Sequence, residues 1–90
     1  MKKKPIKIEK KFILMDKGKQ QYVYGGALTV DDPKSAKRFD TEDEATNYAH
    51  EYKHEAQPFQ RYVIQVNIFE VTIANGRVKK RSLTYRGSVQ

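Results

Sequence analysis

The chain has 90 residues, 38 % hydrophobic and 32 % charged, with no cysteine and a net charge of +7 from 18 Lys and Arg against 11 Asp and Glu. That length makes one domain, ten aromatic residues argue against disorder, and the lack of cysteine excludes disulfides, thiolate nucleophiles and zinc–thiolate sites. The apolar runs fall far short of the roughly 20 residues of a membrane span and no apolar stretch follows the basic N-terminus as in a secretory signal, so no membrane partner is expected and a reducing cytoplasm fits.

Residues 1–5 read as a flexible basic arm, and residues 6–90 as a single domain. Ile6, Ile8 and the run Phe12-Ile13-Leu14-Met15 predict a first strand, clearest from Lys11 to Met15. Asp16-Lys17-Gly18-Lys19 is a turn signal, with Gly18 available for positive φ. A second strand begins at Gln21. Gly25-Gly26 interrupts it as a bulge or bend, and Ala27 to Val30 continues it. Asp31 to Ser35 is a loop closed by a short helical turn.

Thr41-Glu42-Asp43-Glu44 is a capping box, in which the Thr41 hydroxyl accepts from the Glu44 N–H and the Glu44 carboxylate reaches back. Three acids in the first turn also suit the positive end of the helix dipole. Ala45, Tyr48, Ala49, Tyr52 and Ala56 form one apolar stripe at helical spacing. The helix is therefore expected from about Glu42 to Glu55, and Pro58 prevents its extension.

Arg61 to Ile73 is the strongest strand signal, rich in β-branched and aromatic residues. Its alternation changes phase: Tyr62, Ile64, Val66 and Ile68 share one face, and Phe69, Val71 and Ile73 the other. Either a bulge sits near Ile68 or the strand is covered on both faces. Asn75-Gly76 signals a type I′ hairpin turn, and Val78 to Tyr85 is the returning strand. The fold class is α+β: a two-layer ββαββ domain, with an antiparallel sheet of about four strands and one helix packed on one face. The other face is expected to be open.

Charge is laid out in blocks. Residues 1–19 carry eight Lys against Glu9 and Asp16; residues 40–55 carry six acids against Lys53; residues 77–86 carry five cations and no acid. A basic surface of this kind suits an anionic partner. In the returning strand, Lys79, Arg81, Leu83 and Tyr85 are expected on one side and Val78, Lys80, Ser82 and Thr84 on the other. Such a strand serves either as an edge protected by charge or as a groove floor where cations meet phosphates and Tyr stacks on bases. Tyr48 and Tyr52 belong to the helix–sheet core. Tyr22, Tyr24 and Tyr85 have no assignable face; exposed, they make a stacking platform or a protein-binding patch.

One stretch has the spelling of a zinc-hydrolase helix, His50-Glu51-Tyr52-Lys53-His54. The stripe puts both His opposite the core, charges flank the pattern and no third ligand is evident, so neither a metal nor a cofactor is expected. No phosphate-binding glycine loop or Ser/His/Asp arrangement is present. The chain reads as non-enzymatic.

The segment Ala36-Lys37-Arg38-Phe39-Asp40-Thr41-Glu42-Asp43-Glu44-Ala45 resembles an element of small uncharacterised proteins of Gram-positive phages and mobile elements. In these a strand or hairpin precedes a phrase of this kind and a helix follows. The resemblance covers roughly the first 55 residues and implies an accessory protein acting in the cytoplasm of a bacterial host.

The leading expectation is a nucleic-acid-binding protein, for DNA or RNA. Its phosphate contacts would be Lys10, Lys11, Lys79, Lys80, Arg81 and Arg86, with the acidic helix facing away. The alternative is an inhibitor or regulator whose acidic helix engages a basic patch on a host protein.

Overall fold

The computed structural model describes residues 7–79 and 82–89. The expected basic arm, Lys80 and Arg81 lie outside the described residues. In chain order the elements are β1 (Ile8–Asp16), β2 (Gln21–Gly25), β3 (Leu28–Val30), a 3-10 turn (Pro33–Ser35), α1 (Glu42–Ala56), a second 3-10 turn (Gln57–Phe59), β4 (Val66–Ala74), β5 (Arg77–Val78) and β6 (Thr84–Val89). All sheet pairings are antiparallel, in the order β3-β2-β1-β4-β5, with β6 also on β4. The class is α+β with one helix, but the sheet has six strands instead of about four.

Two local events add the extra strands. Gly26, at φ +56°, reverses the chain, so that Leu28 pairs back onto Gly25. Gly25 thus ends β2 and the turn is made by Gly26 and Ala27, while the expected bulge lies just before the glycine pair, with Tyr24 as the extra residue of the β2–β3 ladder. The returning strand is also split. β5 pairs with Ile73 and Ala74, and β6 pairs with Val66 to Glu70. In the gap Thr72 O accepts the Lys79 N–H (2.9 Å), and the Thr72 N–H is donated to Ser82 Oγ (2.9 Å). Ser82 Oγ in turn donates to Lys79 O (2.6 Å). A serine side chain stands in for the absent strand residue and satisfies a ladder group that would otherwise be orphaned.

β4 itself carries no bulge against β1: nine consecutive residue pairs run from Ile8↔Ala74 to Asp16↔Val66. The phase change therefore reflects cover on both faces. Leu14, Val66 and Ile68 pack with Val23, Phe39, Val89 and the α1 stripe Ala45, Ala49, Tyr52 and Ala56. On the other face Ile13, Val71, Ile73 and Val78 pack with Ala36, joined by Tyr22, Phe69 and Leu83. The expected open face is thus half covered, by a strap running through the Pro33–Ser35 turn to Ala36. Val78 and Leu83 share this cluster, so the simple alternation expected through residues 78–85 is broken by the split. The ladder irregularity near Ile68 lies in β6, where Arg86 is the extra residue between Tyr85 and Gly87. β4 also starts later than the apolar signal suggests. Residues 61–65 form a loop held by Gln57, whose side chain donates to Tyr62 O (2.7 Å) and accepts from the Ile64 N–H (3.0 Å).

The first hairpin is fastened at its corner. Asp16 is fully buried; its Oδ1 accepts from the backbone N–H groups of Gly18 (3.0 Å) and Lys19 (3.3 Å), and its Oδ2 accepts from the Tyr52 hydroxyl (2.6 Å). The positive φ falls on Gln20 (+57°), not on Gly18. Gly18 is small for a different reason: a Cβ there would lie 2.4 Å from the Tyr62 ring. The helix begins as its cap predicts, with Thr41 Oγ1 accepting from the Glu44 N–H (3.1 Å). Among the described residues the reciprocal bond from the Glu44 carboxylate is not made.

Thr41→Ala is expected to lower stability by about 1 kcal/mol, and Ser82→Ala by about 1–2 kcal/mol because it strands a ladder N–H; denaturant midpoints measure both. Burial, then the hydrogen bond and charge of Asp16, raise the Tyr52 phenol well above its ordinary value of 10.0. The unfolded chain therefore ionises first on the alkaline side. This contribution is intact below about pH 10 and is lost as pH rises beyond it. Tyr52→Phe should be less stable at pH 7 yet lose stability less steeply above pH 10, as followed by midpoints across that range.

Candidate nucleic-acid interface

The basic segments at the start and near the end of the chain meet because β4 pairs with both. At one end of the sheet, Ala74 lies between Ile8 of β1 and Arg77 of β5, and Ile73 lies between Glu9 and Val78. The next row places Lys10 opposite Thr72, whose carbonyl holds the Lys79 N–H. Asn75 and Gly76, both at positive φ, close the β4–β5 turn, as the type I′ signal requires. That turn is tied to the start of β1: the Asn75 N–H donates to Lys7 O (2.9 Å), and the Lys7 N–H donates to Asn75 Oδ1 (3.2 Å).

Lys7, Lys10, Arg77 and Lys79 are all exposed at this end. Lys80 and Arg81 follow Lys79 directly in the sequence, and Lys2, Lys3 and Lys4 precede Lys7. Arg77 and Lys79 have no ion-pair partner among the described residues.

The remaining expected contacts are already paired. Lys11 is held by the Asp40 carboxylate, which raises the lysine above its usual range. Arg86 Nε lies 3.3 Å from Glu42 Oε1, and its Nη1 lies 3.9 Å from Glu70 Oε2. Lys10 Nζ is 3.9 Å from Glu70 Oε1. The acidic helix thus does not turn wholly away from the cations: its first turn reaches Arg86, the bulged residue of β6. Lys7 pairs with Glu9 at 3.0 Å, and that bond together with the lysine charge lowers Glu9 below its ordinary value. Water screens ion pairs at the surface and leaves them weak, so a phosphate can displace a carboxylate here.

Sequence reasoning missed two residues here. Arg77 could have been found by counting the ladder outward from Asn75-Gly76, which sets Ala74 against Arg77. Glu70 could not, because its place between Lys10 and Arg86 depends on long-range pairings. His50, Glu51 and His54 are exposed along α1. Among the described residues no three His, Cys, Asp or Glu side chains gather as a metal site, and no helix is long and apolar enough to cross a membrane. No family model, curated protein or solved structure matches the chain.

Proposed function

We propose that this protein binds nucleic acid without catalysing a reaction, and that it does so through the basic end of its sheet. The observation that carries the reading is the convergence of Lys10, Arg77 and Lys79 across β1, β4 and β5, where among the described residues Lys10 pairs with Glu70 and neither Arg77 nor Lys79 has an ion-pair partner. Lys80, Arg81 and the N-terminal lysines attach to this end through the sequence. Lys11 and Arg86 are secondary contacts, since Asp40, Glu42 and Glu70 engage them first. Phosphate contacts of this sort release counterions and make affinity strongly salt-dependent. The resemblance of residues 36–45 to phage and mobile-element proteins suggests an accessory role inside a bacterial host.

A second reading has its own support at the opposite end of the molecule. Phe59 and Val63 are each 79 % exposed, on the loop that the Gln57 amide clamps. Beside Val63 lies a shallow hollow lined by Lys53, His54, Gln57 and Pro58. Rigidly displayed apolar side chains suit a protein partner. On this reading, a host protein retained by the wild-type chain is lost with Phe59→Asp while nucleic-acid affinity is unchanged. Equal retention of host proteins by both chains counts against it.

The leading reading has a two-signed test in a titration of labelled oligonucleotide against salt. Lys79→Ala should weaken binding and flatten the log K against log salt slope by about 0.9 on duplex DNA, or about 0.7 on a single strand. Glu70→Gln should strengthen binding, because it removes the carboxylate that competes for Lys10 and Arg86. Wild-type affinity no better than about 10⁻⁴ M at physiological salt is generic attraction and would sink the reading.

A further inference from the structure

We propose that the uncovered half of the sheet face opposite α1 is a stacking platform for unpaired bases, so that the nucleic acid this protein prefers is single-stranded. The inference rests on the nucleic-acid reading above and adds the class of ligand and the residues that select it.

The strap through Ala36 covers only the half of this face that holds Ile13, Val71, Ile73 and Val78. Two rows lie beyond or at its margin. In one, Tyr85 of β6 stands opposite Phe69 of β4. In the other, Ser88, Asn67, Met15 and Tyr22 follow one another across β6, β4, β1 and β2. These six residues include no ionised group. Three are aromatic, and Tyr85 is 56 % exposed.

The Tyr85 ring is also fixed. It meets Phe69 edge-on, with centroids 5.9 Å apart at 66°. Its hydroxyl is hydrogen-bonded to Ser88 Oγ, and Ser88 Oγ donates to Asn67 Oδ1 (2.7 Å). An exposed ring anchored at both its edge and its hydroxyl loses little freedom when a base stacks on it. Base–aromatic stacking tolerates any sequence, because every base has a π face.

Charge argues for a nucleic-acid occupant. At the margin of the platform the turn after Met15 carries Lys17 and Lys19. Phosphates beside a stacked base thus have cations within a chain segment that borders the platform. A duplex keeps its bases paired and stacked on one another, so it engages only the cations.

The test is anisotropy of a labelled 15-nucleotide oligothymidylate and of a labelled 15-base-pair duplex at one moderate salt concentration. The wild-type chain should bind the single strand more tightly. Tyr85→Ala should weaken single-strand binding on the order of 10-fold and leave duplex binding within about twofold. Tyr85→Phe keeps the ring and should retain most of the single-strand affinity. Thermal melts of each variant verify the fold, which an exposed side chain should not disturb. If Tyr85→Ala leaves single-strand affinity unchanged, or weakens both ligands equally, the platform is overturned while nucleic-acid binding stands. If the wild-type chain binds neither ligand, both readings fall together. A wild-type dimer in sedimentation that Tyr85→Ala abolishes would assign the face to a second copy of the chain and would also overturn the proposal.

Discussion

Everything in this molecule hangs on the pairing of β1 with β4. Nine residue pairs run without a shift, from Ile8↔Ala74 to Asp16↔Val66. Side chains alternate with a period of two, so this register decides the face of every residue on both strands. It puts Leu14 beside Ile68 under the helix, and Ile13 and Val71 under the strap. It also sets Lys10 opposite Thr72, one strand away from Lys79. A slip by one residue would invert both cores and scatter the basic end in the same stroke.

The two cores are offset, on opposite faces and towards opposite ends of β4. This resolves a difficulty of small domains, which have too little chain to cover both faces of a sheet fully. One helix covers one half-face, and a strap running through the Pro33–Ser35 turn covers the diagonal half. What is left over is one half-face of each kind. The remainder on the helix side carries Lys10 and Glu70, and the remainder on the strap side carries Tyr85 and Asn67. Their chemistries differ because only the first lies at the end where the basic segments enter and leave the sheet.

Asp16 holds the opposite end. Burying a carboxylate is costly unless it is hydrogen-bonded, and here two backbone N–H groups and the Tyr52 hydroxyl supply the donors. One side chain thereby ties the first hairpin to the helix, and Tyr62 packs over Gly18 in the same corner. The loop from Gln57 to Ile64 is braced by the same logic, with an amide side chain answering one backbone donor and one acceptor. Both devices replace regular pairing with side-chain hydrogen bonds where the chain changes direction.

The sequence by itself determined the elements whose causes are local. Thr41 and the stripe Ala45, Ala49, Tyr52 and Ala56 suffice for α1, because a cap and a helical face involve residues only a turn or two apart. Asn75-Gly76 suffices for its turn, because few other residue pairs accept positive φ at both positions. Where one signal served two outcomes, tertiary structure chose. A glycine pair suits a bulge or a turn equally, and here both occur side by side: Gly25 ends β2 next to the bulge at Tyr24, and Gly26 opens the turn because β3 could pair back on β2. Gly18 looked like a residue for positive φ, but it is small to admit Tyr62, a neighbour 44 residues away. The split between β5 and β6, bridged by Ser82, depends on a contact with Thr72 that no local pattern announces. The basic end was visible as charge in two distant segments. Its location and the partners of Lys10, Lys11 and Arg86 were decided only by folding, because strand register is a long-range property and sets which charges become neighbours.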